Sequence, residues 1–244
     1  MRNVRLDICY EGTRYKGWQR LQNGDQTVQA KLEQTLSRLL GEQIEVSASG
    51  RTDAGTHALG QVVNFRCEST MPCDEILRGL RQYLPEDIGV FCCKNVSQRF
   101  HSRLNAKTKT YRYRLWNGEA PCVFERKFVH IDRRIFDVNA MNEAAQAFAG
   151  THDFAAFCGN KNMKKSTVRT IHSFTVETCG NEIYFTVTGN GFLQHMVRIM
   201  VGTLLEVGIG ERSADDISKL FGAARANAGA AVPACGLCLM EVTY

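Results

Sequence analysis

At 244 residues, 44% hydrophobic and a net charge of +5, the chain is long enough to bury a substantial core as one large domain or two small ones. No apolar run approaches bilayer-spanning length, and Met1-Arg2-Asn3-Val4-Arg5 leads straight into a strand pattern with no signal-peptide core. Several of the ten cysteines lie in apolar strand contexts, such as Cys9 and the adjacent pair Cys92-Cys93, whose side chains face opposite ways; a reduced, cytoplasmic protein is expected rather than a disulfide framework.

In chain order, Val4 to Tyr10 alternates as a strand. Val28, Leu32, Leu36, Leu39 and Leu40 mark one face of a helix ending at Gly41. Residues 44–49 and 61–66 read as two strands. Asp74 is placed to cap a helix carrying Ile76, Leu77, Leu80 and Leu84 and stopped by Pro85, and Ile88 to Val96 is a further strand.

The second half repeats this order. Thr110 to Trp116 is a strand, and Asp137 caps a helix bearing Val138, Met141, Ala145 and Phe148, ended by Gly150. His172 to Thr178 and Glu182 to Gly189 flank a Cys179-Gly180-Asn181 turn as a hairpin. Phe192, Met196, Ile199, Met200 and Leu204 fall at helical spacing, another helix follows Ser213, and Leu237 to Val242 closes as a strand. The fold class is therefore α+β: two β-α-β-β-α-β halves, ferredoxin-like or RRM-like, sharing a mostly antiparallel sheet. The halves are expected at residues 1–105 and 106–244, with a site in the cleft between them.

Gly50-Arg51-Thr52-Asp53-Ala54-Gly55-Thr56-His57 lies between two predicted strands. A carboxylate on a tight loop is ionised at neutral pH and can be presented as a nucleophile or general base; equally, Asp53 can act as a turn cap. Arg99, Arg103, Lys107, Lys109, Arg112 and Arg114 form an acid-free basic run interleaved with Phe100, Tyr111 and Tyr113. A second basic patch holds Lys161, Lys164, Lys165 and Arg169. Bases that neutralise phosphates beside rings that stack on unpaired bases suit an RNA surface, and a solvated charged face is the plainer alternative.

Tyr111 and Tyr113 share one strand face and Arg112 and Arg114 the other, the tyrosine face being directed inward. On the helix through residue 198, His195 and Arg198 are three apart and share a face; Asp53 and Glu206 are both candidate partners for the arginine. Cys235-Gly236-Leu237-Cys238 is half of a zinc or redox motif with no second half, and no dinucleotide or phosphate-loop fingerprint occurs. Neither a metal nor another cofactor is expected.

These motifs together resemble the bacterial tRNA pseudouridine synthase A (TruA) family, nearly end to end. The match runs through Tyr10-Glu11-Gly12-Thr13, Gly17-Trp18-Gln19, Thr27-Val28-Gln29, Gly50 to Ala58 with Gln61-Val62, and Phe100-His101-Ser102-Arg103. It continues through Lys109-Thr110-Tyr111-Arg112-Tyr113, His152-Asp153-Phe154, Thr167 to Ile171, His195-Met196-Val197-Arg198 with Val201-Gly202, and Pro233 to Leu237. The resemblance implies the pseudouridine synthase fold and an isomerase that converts uridine to pseudouridine at positions 38, 39 and/or 40 of the tRNA anticodon arm, as a homodimer without metal or cofactor.

By the same resemblance Asp53 is the catalytic aspartate, Tyr111 the active-site tyrosine, Arg198 the buried arginine and Arg51 the residue that displaces the target nucleotide. Tyr111, Arg103, Lys109, Arg169 and His195 are expected to contact substrate along with Arg51. Whether the carboxylate adds covalently to the nucleotide or assists elimination at the sugar stays open. Two departures stand out: Leu21 replaces a glutamine, with about one extra residue before Thr27, and Thr56 replaces the usual valine. An RNA-binding module without catalysis and a cysteine-dependent redox or zinc protein are the alternatives.

Overall fold

The computed structural model of the chain describes residues 1–22, 26–160 and 163–244. Lys161 of the second basic patch, and the extra length before Thr27, fall outside the described residues. The chain divides into two compact units: Met1–Lys107 with Leu239–Tyr244, and Thr108–Cys238. The closing stretch, which the sequence reading gave to the second half, thus returns to the first.

The first unit has the predicted β-α-β-β-α-β order: β1 (Arg2–Tyr10), α1 (Val28–Leu40), β2 (Val46–Ala48), β3 (His57–Cys67), α2 (Cys73–Tyr83) and β4 (Ile88–Val96). Its sheet runs β4-β1-β3, antiparallel throughout, with β2 on β3 at Val63–Phe65. The closing strand β10 (Leu237–Thr243) is the next neighbour of β3, so close at Gly60 that a Cβ there would lie 2.3 Å from the Met240 carbonyl oxygen. Val4, Leu6, Ile8 and Tyr10 of β1 are buried with Val28, Leu32 and Leu36 of α1.

Local chemistry sets the element ends. Thr27 caps α1, its hydroxyl accepting from the Ala30 N–H, and Gly41 ends it at φ 72°, a left-handed value that suits glycine. Residues 44–45, expected as strand, bond elsewhere: the Ile44 N–H donates to Ser37 Oγ, while at Val46 the N–H donates to the buried Glu33 carboxylate. The strand therefore starts only at Val46. Helix α2 begins two residues earlier than predicted, with Pro72 at the cap position. Asp74 is not its cap but sits in the first turn, where its charge favours the helix N-terminus.

The second unit contains β5 (Thr108–Trp116), β6 (His130–Ile131), α3 (Val138–Gln146), β7 (Gly150–Asp153), β8 (Val168–Cys179), β9 (Glu182–Gly189) and α4 (Met196–Gly208). The order is β5-β9-β8-β7, antiparallel, with two-residue β6 parallel to β5. Both short strands escape period-2 reading because they are too brief to alternate. The predicted hairpin forms with Cys179 opposite Glu182, and Asp137 caps α3 by accepting from the Ala140 N–H.

Three helical expectations need correction. Phe148 lies beyond the end of α3, buried among Phe157, Phe174 and Phe221. The stretch after Ser213 makes two three-residue 3-10 turns rather than a helix, with Ser213 in a capping box with Asp216. Helix α4 starts at Met196, so Phe192 precedes it, and His195 is its cap residue at φ 59°. Nothing in a hydrophobic period signals a left-handed residue.

Candidate active site

Asp53 occupies the connection between β2 and β3. Around it burial alternates sharply: Ser49, Thr52, Thr56 and His57 are buried, Arg51 and Ala54 are exposed, and Asp53 is intermediate. The loop is held from both sides. The Trp18 N–H donates to the Thr52 carbonyl at 3.1 Å, the Gly55 N–H to the Tyr15 carbonyl at 3.3 Å, and the Thr56 N–H to the Asp53 carbonyl at 3.1 Å. Glycines permit this closeness. A Cβ on Gly12 would lie 2.0 Å from the Thr56 carbonyl oxygen, and the Gly12 N–H donates to His57 Nδ1 at 2.9 Å, which places that imidazole's proton on Nε2.

Thr56 itself, at the position where the family pattern has valine, is 2% exposed, and its hydroxyl has no hydrogen-bond partner among the described residues. Replacing Thr56 by Val removes a desolvated hydroxyl and keeps the β-branched shape. Urea denaturation is expected to show a gain of about 1 kcal/mol; a loss would mean that the hydroxyl has a partner in solution.

The basic run divides. Its loop portion carries exposed Arg99, Arg103 and Lys107 and is pinned to the first unit by buried amides. Asn3 Nδ2 donates to the Ser97 and Phe100 carbonyls, Asn64 Oδ1 accepts from the Ser102 N–H, and Ser102 Oγ donates to the Ser47 carbonyl. Tyr244 adds a hydrogen bond to the Ser102 carbonyl, and Arg5 stacks on the Phe100 and Tyr244 rings. Arg103, expected to meet substrate, therefore projects from a fixed loop.

The strand portion is different. Arg114 is bound by Glu182 at 2.7 Å and Glu125 at 2.9 Å; the Glu182 hydrogen bond chiefly, with help from Glu125, holds its guanidinium charged well above the ordinary range. Arg112 donates to Thr186 Oγ1 and lies over the Tyr184 ring. The acids that absorb this end of the run come from distant sequence, which a search within the run cannot find.

Tyr111 and Tyr113 point inward as predicted, at 7% and 0% exposure. Tyr113 is structural: its hydroxyl donates to the Pro233 carbonyl at 3.0 Å, and burial foremost, then Cys235, raises its pKa far above the usual phenol range. Tyr111 packs edge-on against Phe192 with ring centroids 5.1 Å apart. The same β9–α4 connection passes Arg169, whose Cδ and Nε would lie 3.8 Å from a Cβ on Gly191. Arg169 Nη1 donates to the Ser166 and Val168 carbonyls. Tyr111 and Arg169 are thus gathered around residues 191–192, and half-exposed Lys109 precedes Tyr111 on β5.

His195 and Arg198 do not share a helix face, because His195 is not helical. Its ring instead packs on Gly159, where a Cβ would lie 2.5 Å from Nδ1. Arg198, on the first turn of α4, donates from Nε to the Val232 carbonyl at 2.7 Å, and its own carbonyl accepts from the Val232 N–H at 3.2 Å. Glu206, one of its two candidate partners, pairs with Arg212 at 2.8 Å.

All ten cysteines are free thiols; Cys235 donates to the Val129 carbonyl, and burial raises its pKa. Among the described residues, no three His, Cys, Asp or Glu side chains are grouped to hold a metal ion, and no helix is long and apolar enough to cross a membrane. What sequence reading missed at the site is its support, namely Tyr10, Gln61, Asn3, Asn64 and Ser102. These are polar residues at core positions of strands or in the loop they hold, and their one signal is polarity where the pattern demands apolar side chains.

The first unit thus presents a carboxylate on a braced loop next to an exposed arginine, and carries exposed basic side chains on a second, separately pinned loop. The family model described as tRNA pseudouridine synthase matches residues 8–104 and 144–244. The chain belongs to the tRNA pseudouridine synthase family, a family of isomerases, as its motifs predict.

Among its relatives, tRNA pseudouridine synthase A of Bacillus sp. (strain KSM-64) is 44% identical over 245 residues, covering 100% of both chains. The protein of the same name from Acetivibrio thermocellus is 43% identical, and tRNA pseudouridine synthase A 2 of Bacillus anthracis 42%, each over 246 residues and 100% of both chains. A solved archaeal box H/ACA sRNP Nop10-Cbf5 complex aligns with 83% of this chain and 44% of that one at 12% identity and a TM-score of 0.37, too distant to bear on the site.

Proposed function

We propose that this protein isomerises uridine to pseudouridine at positions 38, 39 and/or 40 of the tRNA anticodon arm, acting in the cytoplasm as a homodimer. The observation that carries the reading is Asp53: a carboxylate at the rim of a loop whose neighbours are buried and hydrogen-bonded, in a chain of this family. In the reaction the N1–C1′ bond breaks, the uracil turns, and a C5–C1′ bond forms. The proton lost from C5 is balanced by one gained at N1, so no oxidant, reductant or cofactor enters.

Asp53 supplies the ionised oxygen, either as nucleophile or by assisting elimination at the sugar. Tyr111 stacks on the uracil and relays the C5 proton, and Arg198 orients the carboxylate. Arg51 takes the place of the displaced nucleotide, since a base must leave its stack before its glycosidic bond is reached. Arg103, Lys109, Arg169 and His195 contact the RNA, with the first half carrying the aspartate loop and the second completing the RNA surface.

The test is position mapping on unmodified tRNA transcripts after incubation with pure protein and no added metal or cofactor. Pseudouridine confined to positions 38–40, and absent from transcripts with cytidine at all three, is the expected result. Modification elsewhere, or none despite binding, would overturn the assignment.

A further inference from the structure

Four buried polar side chains lie behind the Asp53 loop in one connected line, and the isomerisation chemistry uses none of them. Gln61 on β3 is 0% exposed, as is Ser49, while Tyr10 on β1 is 4% and Thr52 7% exposed. The Gln61 amide is fully used. Its Oε1 accepts from Ser49 Oγ at 2.6 Å and from the Val62 N–H at 3.2 Å; its Nε2 donates to the Gly50 carbonyl at 3.0 Å and, more weakly, toward the Tyr10 hydroxyl at 3.5 Å. Tyr10 in turn meets Thr52 Oγ1 at 2.8 Å. With the Gln61 amide facing Tyr10, the polarity that satisfies each group runs from Gln61 to Tyr10 to Thr52.

The line grips residues 49, 50 and 52 and stops one residue short of Asp53. Thr52 is held twice, by its hydroxyl to Tyr10 and by its carbonyl to the Trp18 N–H. Its neighbours on either side are less buried, Arg51 being exposed and Asp53 intermediate, so the hold on Thr52 fixes the backbone between them. Buried positions seldom carry polar side chains where apolar ones would pack, unless those groups fix a geometry.

We infer that Tyr10, Thr52 and Gln61 are positioning residues for the reaction, setting the direction in which the Asp53 carboxylate is presented through the hydroxyl pair Tyr10–Thr52. The inference rests on the role given to Asp53 above. A displacement of about 1 Å in a reacting group costs on the order of 100-fold in rate, so the signature is a loss in kcat at nearly constant KM.

The experiment compares Tyr10→Phe, Thr52→Val, Thr52→Ser and the pair Tyr10→Phe/Thr52→Val on an unmodified tRNA transcript, with Asp53→Asn alongside. All are assayed well below their melting temperatures, each checked by circular dichroism. Tyr10→Phe and Thr52→Val should each lower kcat by roughly 10- to 100-fold with KM within about threefold. Thr52→Ser, which keeps the hydroxyl, should recover to within about threefold of wild type. The double variant should be no slower than the slower single one, since both remove the same bond.

Wild-type kcat in Tyr10→Phe and Thr52→Val, with Asp53→Asn inactive, overturns the positioning role and leaves the function standing. Equal losses in Thr52→Ser and Thr52→Val overturn it too, by showing that the methyl packing and not the hydroxyl matters. Activity in Asp53→Asn would remove the role of Asp53 itself, and this inference with it.

Discussion

Asp53→Asn is expected to lower turnover by about 10⁴-fold or more while tRNA affinity stays within about threefold of wild type. The substitution keeps the size and the loop geometry, because the backbone contacts at Thr52, Gly55 and Thr56 do not depend on the carboxylate. It removes the one property that both routes require: an amide neither attacks carbon nor takes a proton at neutral pH, whereas an aspartate is ionised there without help. Affinity is spared because tRNA binding is dominated by phosphate contacts, and losing a negative charge does not weaken them. Nucleoside analysis with filter binding on the same samples checks both halves. Wild-type rates in the variant would sink the assignment of Asp53, and a large loss of binding would mean that the residue holds RNA rather than transforming it.

Gly202→Ala carries the largest expected effect on stability, and its sign is diagnostic. Gly202 lies in the interior of α4, where helix propensity alone predicts a gain of about 1 kcal/mol from alanine. A Cβ there would sit 1.8 Å from the Ala230 carbonyl oxygen, which is backbone and cannot rotate away. The residue 229–232 segment is tied to α4 on both sides of that point, by Gly229 N–H to Thr203 Oγ1 and by Arg198 Nε to the Val232 carbonyl. Strain of this kind costs about 1–3 kcal/mol or more, so the net change should be a clear loss in urea denaturation. Because Arg198 is anchored on the displaced segment, kcat should fall as well. A stabilised, fully active variant would show that the segment yields freely.

The strands and helices that set the two units were legible because their signals are local and repeated: Val4 to Tyr10, Val28 to Leu40 and the Gly180-Asn181 hairpin all follow periodicity or turn chemistry. So was the position of Asp53 between β2 and β3. What escaped was whatever one neighbouring contact decides. Glu33 captures the Val46 N–H and shortens β2, and His195 starts α4 four residues after Phe192 by adopting a left-handed turn. Glu125 and Glu182 neutralise Arg114 from outside the acid-free run. Around Asp53 the residue types were readable, but Gln61 and Tyr10 looked like ordinary strand positions. Their connection to Thr52 depends on a register that brings Tyr10 opposite Ala58, past an irregularity after Ile8.

The stretch Leu239–Tyr244 has a bearing on how the chain comes to be made. It belongs to the first unit, yet it leaves the ribosome only after the whole of the second. Until then β3 has no β10 along it at Gly60, and the loop bearing Arg103 lacks Tyr244 and the Thr243 carbonyl that receives the Lys107 N–H. A nascent first unit therefore waits with an open strand edge, the kind of surface that invites pairing with other chains. Only Leu239–Tyr244, made after the second unit, close it. The half that carries Asp53 therefore completes its sheet edge only after the second unit has been made, and a message cut short after residue 238 would leave the earlier-made unit the unfinished one.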